Sequence, residues 1–71
     1  MLNVQIFSQK ILMLRHKVNL RQKDVAEHCG VTIQAVSKWE RGMSCPDIAI
    51  IDELADVLGV DINELFSNKN L

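Results

Sequence analysis

The stretch from Gln22 to Arg41 constrains the fold more than any other part of the chain. Val25, Ala26 and Cys29 fall at helical spacing and run into Gly30; Val36 and Trp39 resume the spacing after Thr32. The pattern predicts two short helices, about residues 22–29 and 33–40, joined by a tight turn. Ala26 is small enough to let two helices cross closely, and Gly30, four residues on, suits a left-handed backbone after a helix. Thr32 is a good N-cap for the second helix. Val36 and Trp39 anchor that helix inward, which leaves Gln34, Ser37 and Lys38 on its polar side. Gly42 stops it.

The flanking residues predict more short helices. Phe7, Ile11 and Leu14 share one face of a first helix over about residues 8–17, capped by Ser8, with Lys10 and Lys17 off that face. Asn19 is placed to take a left-handed conformation after it. Pro46 suits the first turn of a fourth helix, and Asp47 complements its dipole. Ile48, Ile51, Leu54, Ala55 and Leu58 keep a helical period up to Gly59. Asp61 caps a short fifth helix over 62–66, with Ile62, Leu65 and Phe66 returning to the core. Residues 1–6, where Leu2, Val4 and Ile6 alternate with Asn3 and Gln5, read as a weak strand or a tail, and residues 67–71 as a second tail. The expected fold class is all-α, a compact bundle of five short helices around a central helix-turn-helix. With 71 residues, residues 1–71 are expected to form one small domain.

Composition narrows the function. The formal net charge is −1, but its distribution is uneven. Residues 1–42 carry seven Lys/Arg against three Asp/Glu, and residues 43–71 carry one against six. Attraction to a polyanion depends on the field near the contact face rather than on the whole-chain sum. The two cysteines, Cys29 and Cys45, are too few for a disulfide scaffold of this size. His16 and His28 have no neighbouring Cys/His pair at ligand spacing, so no metal and no cofactor is expected. No phosphate loop, Ser/His/Asp set or activated cysteine context points to an enzyme. The longest apolar runs are four residues, Ile11–Leu14 and Ile48–Ile51, too short to span a membrane. No leader is visible, and an intracellular, cytoplasmic setting is expected.

The residues Gln22, Asp24–Ala26, Gly30–Thr32, Val36–Gly42, Pro46–Asp47 and Leu54–Asp61 together resemble the phage-repressor family. These are the Cro-like, XRE-type helix-turn-helix proteins of bacteria and their phages, whose fold is the lambda repressor-like DNA-binding domain. The resemblance covers about residues 7–66. It implies a sequence-specific binder of double-stranded DNA whose third helix enters the major groove, and a transcriptional regulator, with repression the expected sign. It further implies a homodimer, at least on DNA, and a near-palindromic operator.

Site roles follow from the resemblance, residue by residue. Thr32, Ile33, Gln34 and Lys38 match the positions that reach base edges, with Ser37 on the same exposed side. Ile33 departs from the polar residue usual there; an apolar chain can still pack on a thymine methyl. Gln22 matches a residue that holds phosphate and braces the recognition helix. Arg21, Lys23, Arg41 and Ser44 are further phosphate contacts to expect. Ala26, Gly30, Val36 and Trp39 are structural, and Arg15 and Glu40 match an ion pair that is buried in some members. Leu12 and Met13, apolar on the expected outer side of the first helix, suggest with the N-terminal segment a patch for a protein partner. The resemblance also implies a bacterial or phage-encoded, nucleoid-associated protein.

Overall fold

The computed structural model describes residues 3–67. The order of elements is α1 (Val4–Lys17), α2 (Gln22–Cys29), α3 (Ile33–Glu40), α4 (Ile48–Leu58) and a closing 3₁₀-helix (Ile62–Phe66). All regular structure among these residues is helical, with four α-helices where five were expected. The fifth element is 3₁₀ because its polar groups close over short spans. Asp61 Oδ1 accepts from the Asn63 N–H at 2.9 Å, and the Asp61 carbonyl accepts from the Glu64 N–H at 2.9 Å. Closure over three residues recurs at its end, where the Ser67 N–H meets the Glu64 carbonyl at 3.4 Å, and short runs of this kind are where 3₁₀-helices occur.

α2 and α3 have the expected limits. Gly30 takes the left-handed conformation at φ 69°, and the Val31 N–H returns to the Ala26 carbonyl at 3.0 Å. Thr32 Oγ1 accepts from the Ala35 N–H at 3.1 Å, so the α3 cap is made as anticipated. Asn19 is left-handed at φ 60°. At the start of α2 the Asp24 carboxylate reaches back to the Arg21 N–H at 2.9 Å. That hydrogen bond, and then the Arg21 side chain, hold the Asp24 carboxyl below its usual value.

α1 begins four residues earlier than expected. Asn3, not Ser8, is the cap: its Oδ1 accepts from the Ile6 N–H at 3.1 Å. The alternation of Val4 and Ile6 with Gln5 is therefore the first turn of a helix, neither strand nor tail; Leu2 and the tail beyond Ser67 lie outside the described residues. Ser8 is buried within α1, and its hydroxyl donates to the Gln5 carbonyl at 3.0 Å. A Cβ on Gly42 would lie 3.6 Å from Ser8 Oγ, ordinary contact, so the turn after α3 packs on this part of α1.

The core draws Phe7, Ile11 and Leu14 from α1, Val25, Ala26 and Cys29 from α2, and Val36 and Trp39 from α3. Ile51, Leu54, Ala55 and Leu58 of α4 and Leu65 of the 3₁₀-helix complete it. Lys10 departs from expectation. It is only 1% exposed, because the 3₁₀-helix packs over α1, and its Nζ lies 3.0 Å from Glu64 Oε2. Its long stem fills apolar space while the ammonium meets a carboxylate. Ile48 is the converse: it keeps the apolar period but is 79% exposed on the first turn of α4. Pro46 precedes that helix, with Asp47 as the cap, its Oδ1 accepting from the Ile50 N–H at 2.9 Å. Phe66 is partly exposed and stacks on buried Phe7, ring centroids 5.6 Å apart. Of the apolar pair on α1, Leu12 is exposed, whereas Met13 packs against the core. No helix of the described residues is long and apolar enough to cross a membrane.

Nothing lies within 4 Å of a Cβ placed on Gly30, so only its backbone conformation limits substitution. Gly30→Ala is expected to cost about 1–2 kcal/mol in urea unfolding and Gly30→Asn less, because Asn tolerates the left-handed region better. Equal losses for both variants would show that crowding controls the position.

Candidate nucleic-acid interface

The site is built around α3. Val36 and Trp39 are 1% and 4% exposed, so one side of this two-turn helix is sealed into the core. Trp39 thus acts as an anchor. On the opposite side, residues 33, 34, 37, 38 and 41 recur at helical spacing. Ile33, Gln34, Lys38 and Arg41 are exposed and Ser37 is half-buried. Among the described residues no hydrogen bond or ion pair holds the side chains of Gln34 or Lys38. A donor–acceptor amide and an ammonium therefore face solvent with their hydrogen-bonding capacity unspent.

Two other side chains on this surface are partly committed. Thr32 Oγ1 already accepts from the Ala35 N–H, which leaves its hydroxyl hydrogen to donate. Arg41 bends back so that its Nε donates to the Ser37 carbonyl at 3.3 Å, at the end of its own helix. The remaining guanidinium donors stay exposed.

The orientation of α3 is fixed by a polar knot at its C-terminal end. The Glu40 carboxylate accepts from Arg15 Nε at 2.6 Å and from Arg15 Nη2 at 3.0 Å, a two-pronged pairing between α3 and α1. Gln22, the first residue of α2, adds a third bond, its Nε2 donating to Glu40 Oε1 at 2.9 Å. Arg15 Nη1 donates to the Leu20 carbonyl at 3.0 Å, tying in the connection between α1 and α2. The Arg15 and Glu40 side chains are 12% and 5% exposed. Every buried side-chain nitrogen and oxygen of the described residues has a partner. The expected buried pair is present, and Gln22 braces α3 through it.

The other expected contact residues flank α3. Arg21 is 78% exposed at the start of α2 and lies 3.4 Å from Asp24. Lys23 and Ser44 are exposed, and Gln22 is half-buried. Beyond the expected set, two features were hidden from sequence reasoning. One is the Lys10–Glu64 pair. The other joins α2 to α4: His28 Nε2 lies 3.3 Å from Glu53 Oε2 and 3.2 Å from Asp56 Oδ2. The two thiols are poor nucleophiles. Burial, and then the Glu53 carboxylate, push Cys29 up, and burial alone pushes Cys45 up, which keeps both protonated at neutral pH.

A short helix braced from behind, offering free polar groups in front beside exposed cations, defines a nucleic-acid-binding module of the helix-turn-helix class. The chain belongs to the HTH_3 helix-turn-helix family, whose model matches residues 11–65, and that family is one of DNA-binding transcription regulators. Among curated proteins it is similar to the cryptic phage CTXphi transcriptional repressor RstR of Vibrio cholerae. The two are 36% identical over 64 residues, which is 90% of this chain and 58% of RstR. It is also similar to the transcriptional activator BcrR of Enterococcus faecalis, 35% identical over 65 residues, 92% of this chain and 32% of BcrR. The chain thus spans about a third of the one relative and somewhat over half of the other. Among solved structures it resembles the restriction-modification controller protein C.AhdI of Aeromonas hydrophila. That likeness has a TM-score of 0.83 at 30% identity and covers 89% of this chain and 96% of C.AhdI.

Arg15→Ala is expected to destabilise the fold by about 3–5 kcal/mol, because it leaves Glu40 buried without its main counter-charge. Replacing both partners, as Arg15→Met with Glu40→Met, should cost far less. Chemical denaturation of the single and double variants separates the two; a double variant as unstable as the single one would contradict this account.

Proposed function

We propose that residues 1–71 act as one module that binds double-stranded DNA through α3 in the major groove and regulates transcription, with repression as the sign. The observation that carries this reading is the split on α3: Val36 and Trp39 sealed inward, Gln34 and Lys38 exposed without an internal partner. Gln34 is assigned to an adenine edge, where its amide donates and accepts at once, and Lys38 to guanine O6/N7. Ile33, 46% exposed at the start of α3, packs on a thymine methyl. Thr32 donates its remaining hydroxyl hydrogen, and Ser37 contributes at the centre of the same side. Arg21, Gln22, Lys23, Arg41 and Ser44 hold phosphates and set the register.

Such modules work in pairs. A homodimer would set two α3 helices about one DNA turn, roughly 34 Å, apart on a near-palindromic operator. The role is binding, not catalysis, and the setting is the cytoplasm of a bacterium, at the nucleoid, with a bacterial or phage gene as the source. Exposed Leu12, with Val4 and Ile6 half-buried nearby along α1, is the remaining place for a protein partner.

Selection of bound duplexes from a random pool tests the proposal in one step, by giving the site, its symmetry and the stoichiometry. On the selected site, Gln34→Ala and Lys38→Ala should each weaken binding by about 1–3 kcal/mol and relax preference at one base pair, with melting temperatures unchanged. Parent-like operator affinity in both variants would refute the assignment. Binding should also fall steeply with salt, and Lys23→Ala should lower the slope of log K against log[salt] by about 1. A flat salt profile in the parent would rule out the phosphate contacts.

A further inference from the structure

We infer that His28, Glu53 and Asp56 form a binding site for a divalent transition-metal ion of the zinc class. The three side chains come from two helices, His28 from the last turn of α2 and Glu53 and Asp56 from successive turns of α4. Each offers one ligand atom, and the three atoms lie within 4.8 Å of one another. Glu53 and Asp56 are three residues apart on a helix, so their carboxylates share a face.

The two distances to the imidazole are those a shared ion would set. The two approaches to His28 Nε2 measure 3.3 and 3.2 Å. A charge-assisted N–H···O bond is shorter, about 2.7–2.9 Å. Nε2 carries at most one proton, which cannot point well at two carboxylates at once. By contrast, zinc held by nitrogen and oxygen at about 2.0–2.2 Å in a tetrahedron sets its ligand atoms roughly 3.3–3.5 Å apart. An ion seated between the three atoms would neutralise two carboxylates and use the imidazole lone pair, with water completing its shell. The imidazole selects against magnesium and calcium, which take oxygen ligands.

The site opens to solvent, so the ion would exchange freely and affinity would be modest. Cys29 is next in sequence to His28, but it turns into the core and is not one of the three ligands. None of the three belongs to the proposed DNA-contact set, so failure of this inference and failure of the DNA-binding reading are separately observable.

The test is thermal melting of the untagged chain with zinc chloride, together with visible absorption of the cobalt(II)-loaded chain. Zinc at tenfold over its dissociation constant should raise the melting temperature by on the order of 5–10 °C, while magnesium should do nothing. Cobalt should give the absorption of a low-coordinate nitrogen–oxygen site, without a thiolate charge-transfer band. His28→Ala, Glu53→Gln and Asp56→Asn alter exposed positions, and each should weaken zinc binding about tenfold or more. The metal-free melting temperature of each variant is the internal reference for its own shift. The Cys45→Ser variant should bind as the parent does. An absent zinc shift in the parent, a shift retained in His28→Ala, or one lost in Cys45→Ser would overturn the assignment.

Discussion

The carboxylate of Glu40 is the point on which the rest of the structure turns. It sits at the end of α3, almost out of water, and takes three hydrogen bonds from two other helices. A buried charge is costly unless paired and hydrogen-bonded, so its partners cannot drift without a large penalty. Arg15 is planar and two-pronged, which fixes direction as well as distance. Gln22 meets the same carboxylate from the first turn of α2. The two helices around Gly30 are therefore set relative to each other at both ends: by the Gly30 turn and by this polar knot. A helix of eight residues has little stability of its own, and its rigidity is borrowed from these contacts and from the core.

That rigidity is what a reading surface requires. Hydrogen bonds to base edges discriminate best when the helix that carries the donors and acceptors is held at a fixed angle to the groove. On α3 the holding is done by one face, and the opposite face is the one proposed to read. Val36, Trp39 and Glu40 face the protein, while Gln34 and Lys38 face outward. Along the sequence, cations gather in α1, α2 and α3, and acidic residues in α4 and the 3₁₀-helix; in space some of the acids meet the first half, as Glu64 meets Lys10. Local field, not the net charge of −1, is the relevant quantity for a phosphate backbone.

Much of this was legible in the residues alone, because the signals were local. The limits of α2 and α3, the left-handed Gly30 and Asn19, the Thr32 cap and the buried side of each of the first four helices all come from contacts within a few positions. The departures have local and long-range causes. Ser8 looks like a cap, but Asn3 offers the same chemistry one turn sooner, and the even spacing of Leu2, Val4 and Ile6 concealed that turn. A cation in a helix normally faces water, so the sequence alone puts Lys10 outside. Nothing in the nearby sequence announces that Ile62–Phe66 folds back over it with Glu64 in reach. The apolar period puts Ile48 inside, yet a helix can overhang the elements it packs on. The Arg15–Glu40 pair was accessible only through family resemblance.

The sequence by itself determined where each helix of the motif starts and stops, and which face of it is apolar. Those properties depend on hydrogen bonds three to five residues long and on the 3.6-residue period. Only the tertiary structure decided which charges meet. Lys10 with Glu64, Glu40 with Arg15 and Gln22, and His28 with Glu53 and Asp56 are separated in the chain by between 18 and 54 residues. Coulomb and hydrogen-bond energies depend on distance in space, and distance along the chain carries no information about it until the helices have packed.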